Sequence, residues 1–261
     1  MKSNPTAGFN YLFRGLRLIV QPKLRLFVLI PLLINILVFA ILITLSIGQF
    51  NAWIEHFMGW LPDWEWLDFI RWILWPLMVG LLLVIVSYTF SIIANLIASP
   101  FNGLLAEKAE EFLTGEEING TETFWEAIKD APRVMGKEIH KLLYYLPRAL
   151  IVLILSLIFT FFPPISTLLW FTLGAWMMAL QYCDYPMDNH KHSLSKVKQA
   201  IAQQRMTSMG FGSAVMIGTM IPIINFIIMP AAVCGATLYW VERIKQESQT
   251  GHALKPSDDA N

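Results

Sequence analysis

Charge is what this chain has least of. Asp, Glu, Lys and Arg make up 15% of its 261 residues, against about 25% in ordinary soluble domains. The formal net charge is +0, which excludes a general attraction to nucleic acid and leaves any anion site to a local cluster of cations. Cysteine is nearly absent as well. Cys183 and Cys234 lie near the ends of apolar runs without metal-ligand spacing, so packing is expected of both, rather than a disulfide or a metal. A Gly-rich phosphate loop is missing, which argues against ATP-driven transport by this chain itself and gives no reason to expect a cofactor. Neither a Gly-x-Ser-x-Gly elbow nor a zinc-protease helix occurs, and no nucleophile can be matched with a base, so an enzyme is not expected.

What fills the space is apolar sequence. Hydrophobic residues are 56% of the chain, and Leu26–Ile47, Trp72–Ala106, Ala149–Cys183 and Met206–Trp240 each run without a charge. A bilayer core needs roughly 20 apolar helical residues to cross it, so the chain is expected to be a multi-pass integral membrane protein. The basic segment Met1–Arg25 precedes a run longer than the apolar region of a signal peptide, and Leu26–Ile47 is expected to be retained as a helix.

The runs differ in plan. Leu26–Ile47 has the length of one span, and Trp72–Ala106 is longer than a membrane is thick, with Ser99-Pro100-Phe101-Asn102-Gly103 as its expected exit. Pro163-Pro164 and Pro222 interrupt the other two runs and leave halves of about 14 to 18 residues, at or below spanning length. Gly48–Arg71 is acidic and Trp-rich and lacks Lys and Arg before Arg71, which places it outside; the other polar segments hold the remaining basic residues and belong inside. Each Pro-broken run then has to leave and return on one side. The expected fold is all-α: two long transmembrane helices, two Pro-broken, partly penetrating helical hairpins and a cytoplasmic helical portion. In that portion Thr123–Glu126 fits a capping box, Trp125, Ile128, Met135, Ile139 and Leu142 form an apolar stripe for the protein or the membrane surface, and Pro132 is expected to kink or restart the helix.

Three sets of residues could carry function. In the first, Arg14 and Arg17 precede Gln21-Pro22-Lys23-Leu24-Arg25. Pro22 is expected to start the first membrane helix, leaving the amides of Lys23, Leu24 and Arg25 free for an anion that Lys23 and Arg25 also attract. The same residues equally suit topology anchors. The second set is the polar group at the edges of apolar runs, chiefly Asn102, Glu107 and Arg148, with Asn35, Asn95 and Asn225. Glu107 and Arg148 fit a pathway pair, or a helix start and a snorkelling side chain; the asparagines suit hydrogen bonds between helices. The third is Gln181–His190 with His192, whose spacing fits no helical metal motif and reads as an interfacial turn.

Gln21-Pro22-Lys23-Leu24-Arg25, Ala98–Glu107, Tyr145–Ala149, Gln181–Pro186 with Asp188–Lys191, and Met229–Thr237 together resemble the CysZ sulfate permease family of bacteria. The resemblance implies an inner-membrane protein that admits sulfate for cysteine biosynthesis, with membrane lipid around it and homo-oligomers of two or more copies. Members typically read Pro-Gly-Leu-Arg-Arg where this chain has Pro22-Lys23-Leu24-Arg25-Leu26, so Lys23 stands for the glycine and Leu26 for the second arginine. The implied sulfate-binding residues are Lys23, Leu24, Arg25 and Leu26, with the amides of Leu24 and Leu26 helping. Arg17, Asn102, Glu107 and Arg148 are candidates for the pathway. One membrane-transport domain is expected over 1–245, its cytoplasmic portion near 107–148, followed by a polar tail at 246–261. The competing expectation is a structural or assembly protein whose basic helix start binds anionic lipid.

Overall fold

A computed structural model describes residues 3–60, 67–118 and 124–245, and among these every regular element is helical. The capping box at Thr123 and the tail 246–261 lie outside the described residues. The elements are α1 (Pro5–Leu18), α2 (Arg25–Met58), α3 (Leu67–Thr114), α4 (Phe124–Ile158), α5 (Pro163–Asn189), α6 (Leu194–Gln203), α7 (Arg205–Thr219) and α8 (Pro222–Tyr239), ending in a π-helical turn at Trp240–Ile244. Three described stretches, Pro132–Ile158, Pro163–Asn189 and Ile224–Ile244, are long and apolar enough to cross a membrane.

The chain divides into two compact units, 29–99 and the remainder. In the first, Leu33, Leu37, Leu45, Trp72 and Leu77 are exposed, which water would penalise and lipid accepts. The second unit carries the buried core. There α1 packs across α7 and α8, α5 packs against α7 and α8, and α4 against α5. Glycine makes these crossings close. A methyl carbon built on Gly15 would clash with the Ala231 carbonyl oxygen, one on Gly8 with that of Thr207, and one on Gly212 with that of Ala175. Small residues let helix backbones approach where lipid supplies no hydrophobic drive between helices. The chain start is tied in by reciprocal bonds: Thr207 N–H donates to Ser3 Oγ at 3.1 Å and Asn4 N–H to Thr207 Oγ1 at 3.1 Å.

Prolines break some helices and not others. Pro163 and Pro222 open α5 and α8, where a missing N–H is no loss, so the expected interruptions stand at Phe159–Phe162 and Met220–Ile221. The expected short halves are corrected for α4 and α5, of 35 and 27 residues, because both helices run on into polar sequence beyond the apolar run. The exit at Ser99–Gly103 is also corrected. Helix α3 passes through Pro100 and Gly103 and stops only at Thr114, where Gly115 takes φ 73°, a left-handed cap that glycine adopts without strain. Pro132 likewise neither breaks nor restarts α4.

The polar stretch of α4 ahead of its apolar run is inverted relative to a water-soluble helix. Met135, Ile139 and Leu142 are 54%, 56% and 53% exposed, whereas Lys137 and Lys141 turn inward against α5. These three residues of the stripe therefore do not face the rest of the chain, and the side chains of Trp125 and Ile128 lie outside the description. Where lipid covers a helix, charged groups gain by facing protein partners and apolar ones lose nothing by facing out.

Candidate anion site and the polar clusters

The basic turn comes first. The chain leaves α1 at Ile19 and enters α2 at Arg25, so Pro22 does not open the helix as expected. Gln21–Leu24 instead forms a turn in which the Gln21 carbonyl accepts from Leu24 N–H at 2.9 Å and from Arg25 N–H at 3.0 Å. Those two amides are therefore committed, and the expectation that they are free for an anion is corrected. For the amides of Lys23 and Leu26, no acceptor occurs among the described residues. Leu24 is 0% exposed and belongs to the core, which pins the turn, while the side chains of Lys23, Arg25 and Leu26 face out. Arg17 is exposed in the last turn of α1. Arg14 is occupied elsewhere, donating through Nη1 to Glu242 at 2.8 Å and lying over the Tyr11 ring.

Asn102, Glu107 and Arg148 are not one cluster. Asn102 Nδ2 donates to the Tyr185 hydroxyl at 3.3 Å, and Glu107 is buried with Lys108 Nζ 3.4 Å from its Oε1. Arg148 turns back on its own helix, donating to the Tyr144 carbonyl at 2.7 Å with its guanidinium 3.5 Å from the Tyr144 ring centre. The reading of Glu107 and Arg148 as a pair is thus corrected. Each finds a neighbour within its own helix. The side chains of Asn35 and Asn95 lie outside the description.

The segment Gln181–His190 is helical to Asn189, not an interfacial turn, because Pro186 is carried inside α5. Its two aspartates, one helical turn apart, meet three cations spaced four residues apart on α4. Arg133 holds Asp188 with both Nη atoms, at 2.7 and 2.9 Å. Lys137 bridges Asp188 and Asp184, each at 2.7 Å, and donates to the His192 carbonyl at 3.1 Å. Lys141, 3% exposed, reaches Asp184 at 2.8 Å and Gln181 at 3.2 Å. Antiparallel helices with i,i+4 like charges on each make such a ladder. The spacing was visible in the sequence; the pairing was not. At its lower end Asp130, bound first by Arg133 and then by Lys191, has its carboxyl held at about 2.

Beside the ladder, Glu110 on α3 joins the end of α5 to Lys245, just after the π-helical turn. His190 Nε2–H donates to Glu110 Oε1 at 2.9 Å and Lys245 Nζ at 3.0 Å. Burial opposes ionisation of Glu110, but the bonds from His190 and Lys245 outweigh it and hold the carboxyl below its usual value. Burial, with Lys196, His190 and Lys137 nearby, lowers the His192 pKa. Both histidine rings lie against Trp240, at 5.4 and 5.5 Å. Cys183 and Cys234 are buried and unbridged, as packing residues should be.

A basic turn ahead of a long apolar helix offers an anion both charge and backbone amides. Comparison with known proteins assigns the chain. A model of the family described as sulfate transporter CysZ/etoposide-induced protein 2.4 matches residues 11–230. The chain belongs to this family. A sulfate transporter CysZ of Pseudomonas aeruginosa is 48% identical over 238 residues, covering 90% of this chain and 94% of the relative. Those of Pectobacterium atrosepticum and Vibrio parahaemolyticus are each 45% identical, over 94% and 92% of this chain and 88% and 96% of their own lengths. The resemblance to CysZ proteins read from the motifs therefore holds over most of the chain. With its membrane-competent helices, the chain is a membrane protein.

Proposed function

We propose that this chain is a sulfate permease of the bacterial inner membrane, serving cysteine biosynthesis, and not an enzyme. The observation that carries the reading is 45–48% identity to sulfate transporters over nine-tenths of the chain. Sulfate is met at the turn before α2 by the side chains of Lys23 and Arg25 and the amides of Lys23 and Leu26, while Leu24 holds the turn from inside. A fully charged oxyanion needs only donors and positive potential there, and weak binding suits flux. Arg17 adds long-range attraction, and Asn102 and Glu107 stand near the path.

Residues 1–245 act as one transport domain, with the region near 107–148 cytoplasmic. The long α2 and α3 span the bilayer, and the α4–α5 and α7–α8 hairpins enter part way from the cytoplasmic side; two or more copies assemble. Support comes from the two proline-opened reversals and the basic segments flanking both hairpins. Purified protein in liposomes tests the function: radiolabelled sulfate should enter faster than into protein-free liposomes. Equal rates would overturn the reading.

A further inference from the structure

Tyr144 has two cations against one ring. The Arg148 guanidinium lies 3.5 Å from the ring centre and Lys198 Nζ, from α6, 4.8 Å. The ring is fixed from a third helix, because Trp176 Nε1–H on α5 donates to the Tyr144 hydroxyl at 3.1 Å. Among the described residues neither cation meets a carboxylate. This contrasts with the ladder earlier on α4, where Arg133, Lys137 and Lys141 are each paired with a carboxylate. Two like charges held against one ring raise each other's energy unless an anion neutralises them.

The donors left over suit a tetrahedral oxyanion. Arg148 spends one Nη1 bond on the Tyr144 carbonyl and keeps its other guanidinium N–H groups; Lys198 keeps its ammonium; the Tyr144 hydroxyl accepts from Trp176 and still has its own proton to donate. The position says which oxyanion. Arg148 is the last charge before the apolar run Ala149–Cys183, and one turn further Ile151 is 57% exposed, followed by exposed Leu153, Ile154, Leu157 and Ile158. Tyr and Trp beside Lys and Arg at the edge of a lipid-facing surface mark the headgroup level.

We propose that Tyr144, Arg148 and Lys198 form a binding site for the phosphodiester of an anionic lipid headgroup, whose acyl chains lie along the exposed face of α4 above Arg148. The bound lipid ties α4 to α6 across the end of α5. This site is separate from the basic turn at Lys23–Leu26 and does not depend on the sulfate reading.

The test is retention of phosphatidylglycerol by the purified full-length chain, measured by native mass spectrometry from detergent micelles across a lipid titration. Wild-type protein should retain the lipid at concentrations where phosphatidylcholine is lost. At about a 5-fold effect per removed surface cation, Arg148→Gln or Lys198→Gln alone should weaken retention about 5-fold and the double variant about 30-fold. The exchange variant Arg148→Lys with Lys198→Arg keeps both charges and should stay within about 3-fold of wild type. If the double variant loses its helical circular dichroism, the single variants decide. Excess inorganic phosphate or sulfate should not displace the lipid; displacement by either would assign the site to a free ion and overturn the lipid assignment. Equal retention by wild type and the neutralised variants would overturn the site itself.

Discussion

At the level of single residues, the smallest side chains carry the heaviest constraint. Gly15→Ala places a methyl against the Ala231 carbonyl and the Gly235 amide, both backbone atoms that move only if α1 lifts from α8. Loss of 3 kcal/mol or so, the upper end of ordinary overpacking, is expected in reversible unfolding. Gly136→Ala on α4 meets nothing within 4 Å and should be neutral or gain up to about 1 kcal/mol from helix propensity. Arg25 offers the matching functional test. Its side chain is exposed and holds no partner among the described residues, so Arg25→Ala should leave folding intact and weaken sulfate binding by about 1.5–3 kcal/mol, the worth of a hydrogen bond to a charged group. Equal affinity in calorimetry of wild type and variant would return the turn to a topology anchor. Leu24 and Leu26 differ in kind: the first is core, and the second is exposed, with no acceptor for its amide among the described residues.

Between elements, the α4–α5 ladder makes a prediction that depends on burial. Asp184→Ala leaves Lys141 inside the protein with Glu138, Gln181 and the Tyr185 ring, and should cost about 3–5 kcal/mol. Asp184→Leu combined with Lys141→Met removes both charges and should recover most of that loss, because well-packed apolar replacements of buried ion pairs are often neutral. A double variant no more stable than Asp184→Ala in chemical unfolding would mean that the ladder, not the single buried charge, sets stability there. The hairpin proposal also lives at this scale. Ser166 and Asn225 lie within a turn of the two reversals, so single cysteines there should resist an impermeant thiol reagent added from the periplasm. Ready labelling would make the hairpins full spans.

For the molecule as a whole, acid should loosen the joint between α3, the end of α5 and Lys245. The folded-state pKa of His192 is lowered from 6.5, so the unfolded chain binds more protons below that value and the stability this group contributes is lost as pH falls through about 6.5. Glu110, lowered from 4.5, contributes stability that is present above 4.5 and lost as pH falls through its lower folded value. The two effects have one sign. Thermal unfolding in detergent should therefore show a midpoint that declines from pH 7 to below pH 4, through His192 first and Glu110 last, and His192→Gln should flatten the first part of that decline. A midpoint that rises on acidification would contradict both assignments.

Apolar run length and Lys and Arg placement were enough to make this a helical membrane protein, because the bilayer leaves a chain so few ways to satisfy its backbone. Motifs such as Gln21–Arg25 and Ala98–Glu107 were enough for the family, and the prolines opening α5 and α8 were legible because proline at a helix start loses no hydrogen bond. Tertiary structure decided the rest. Whether Pro100, Pro132 and Pro186 interrupt a helix depends on what surrounds them, and here the helix continues through all three. Which amides of the basic turn are free depended on the Gln21 carbonyl folding back over Leu24 and Arg25. That Lys137 and Lys141 face inward, and that Arg148 meets Lys198 across Tyr144 and not Glu107, follows from how α4, α5 and α6 lie against one another, and no spacing within a single helix encodes its neighbours' positions.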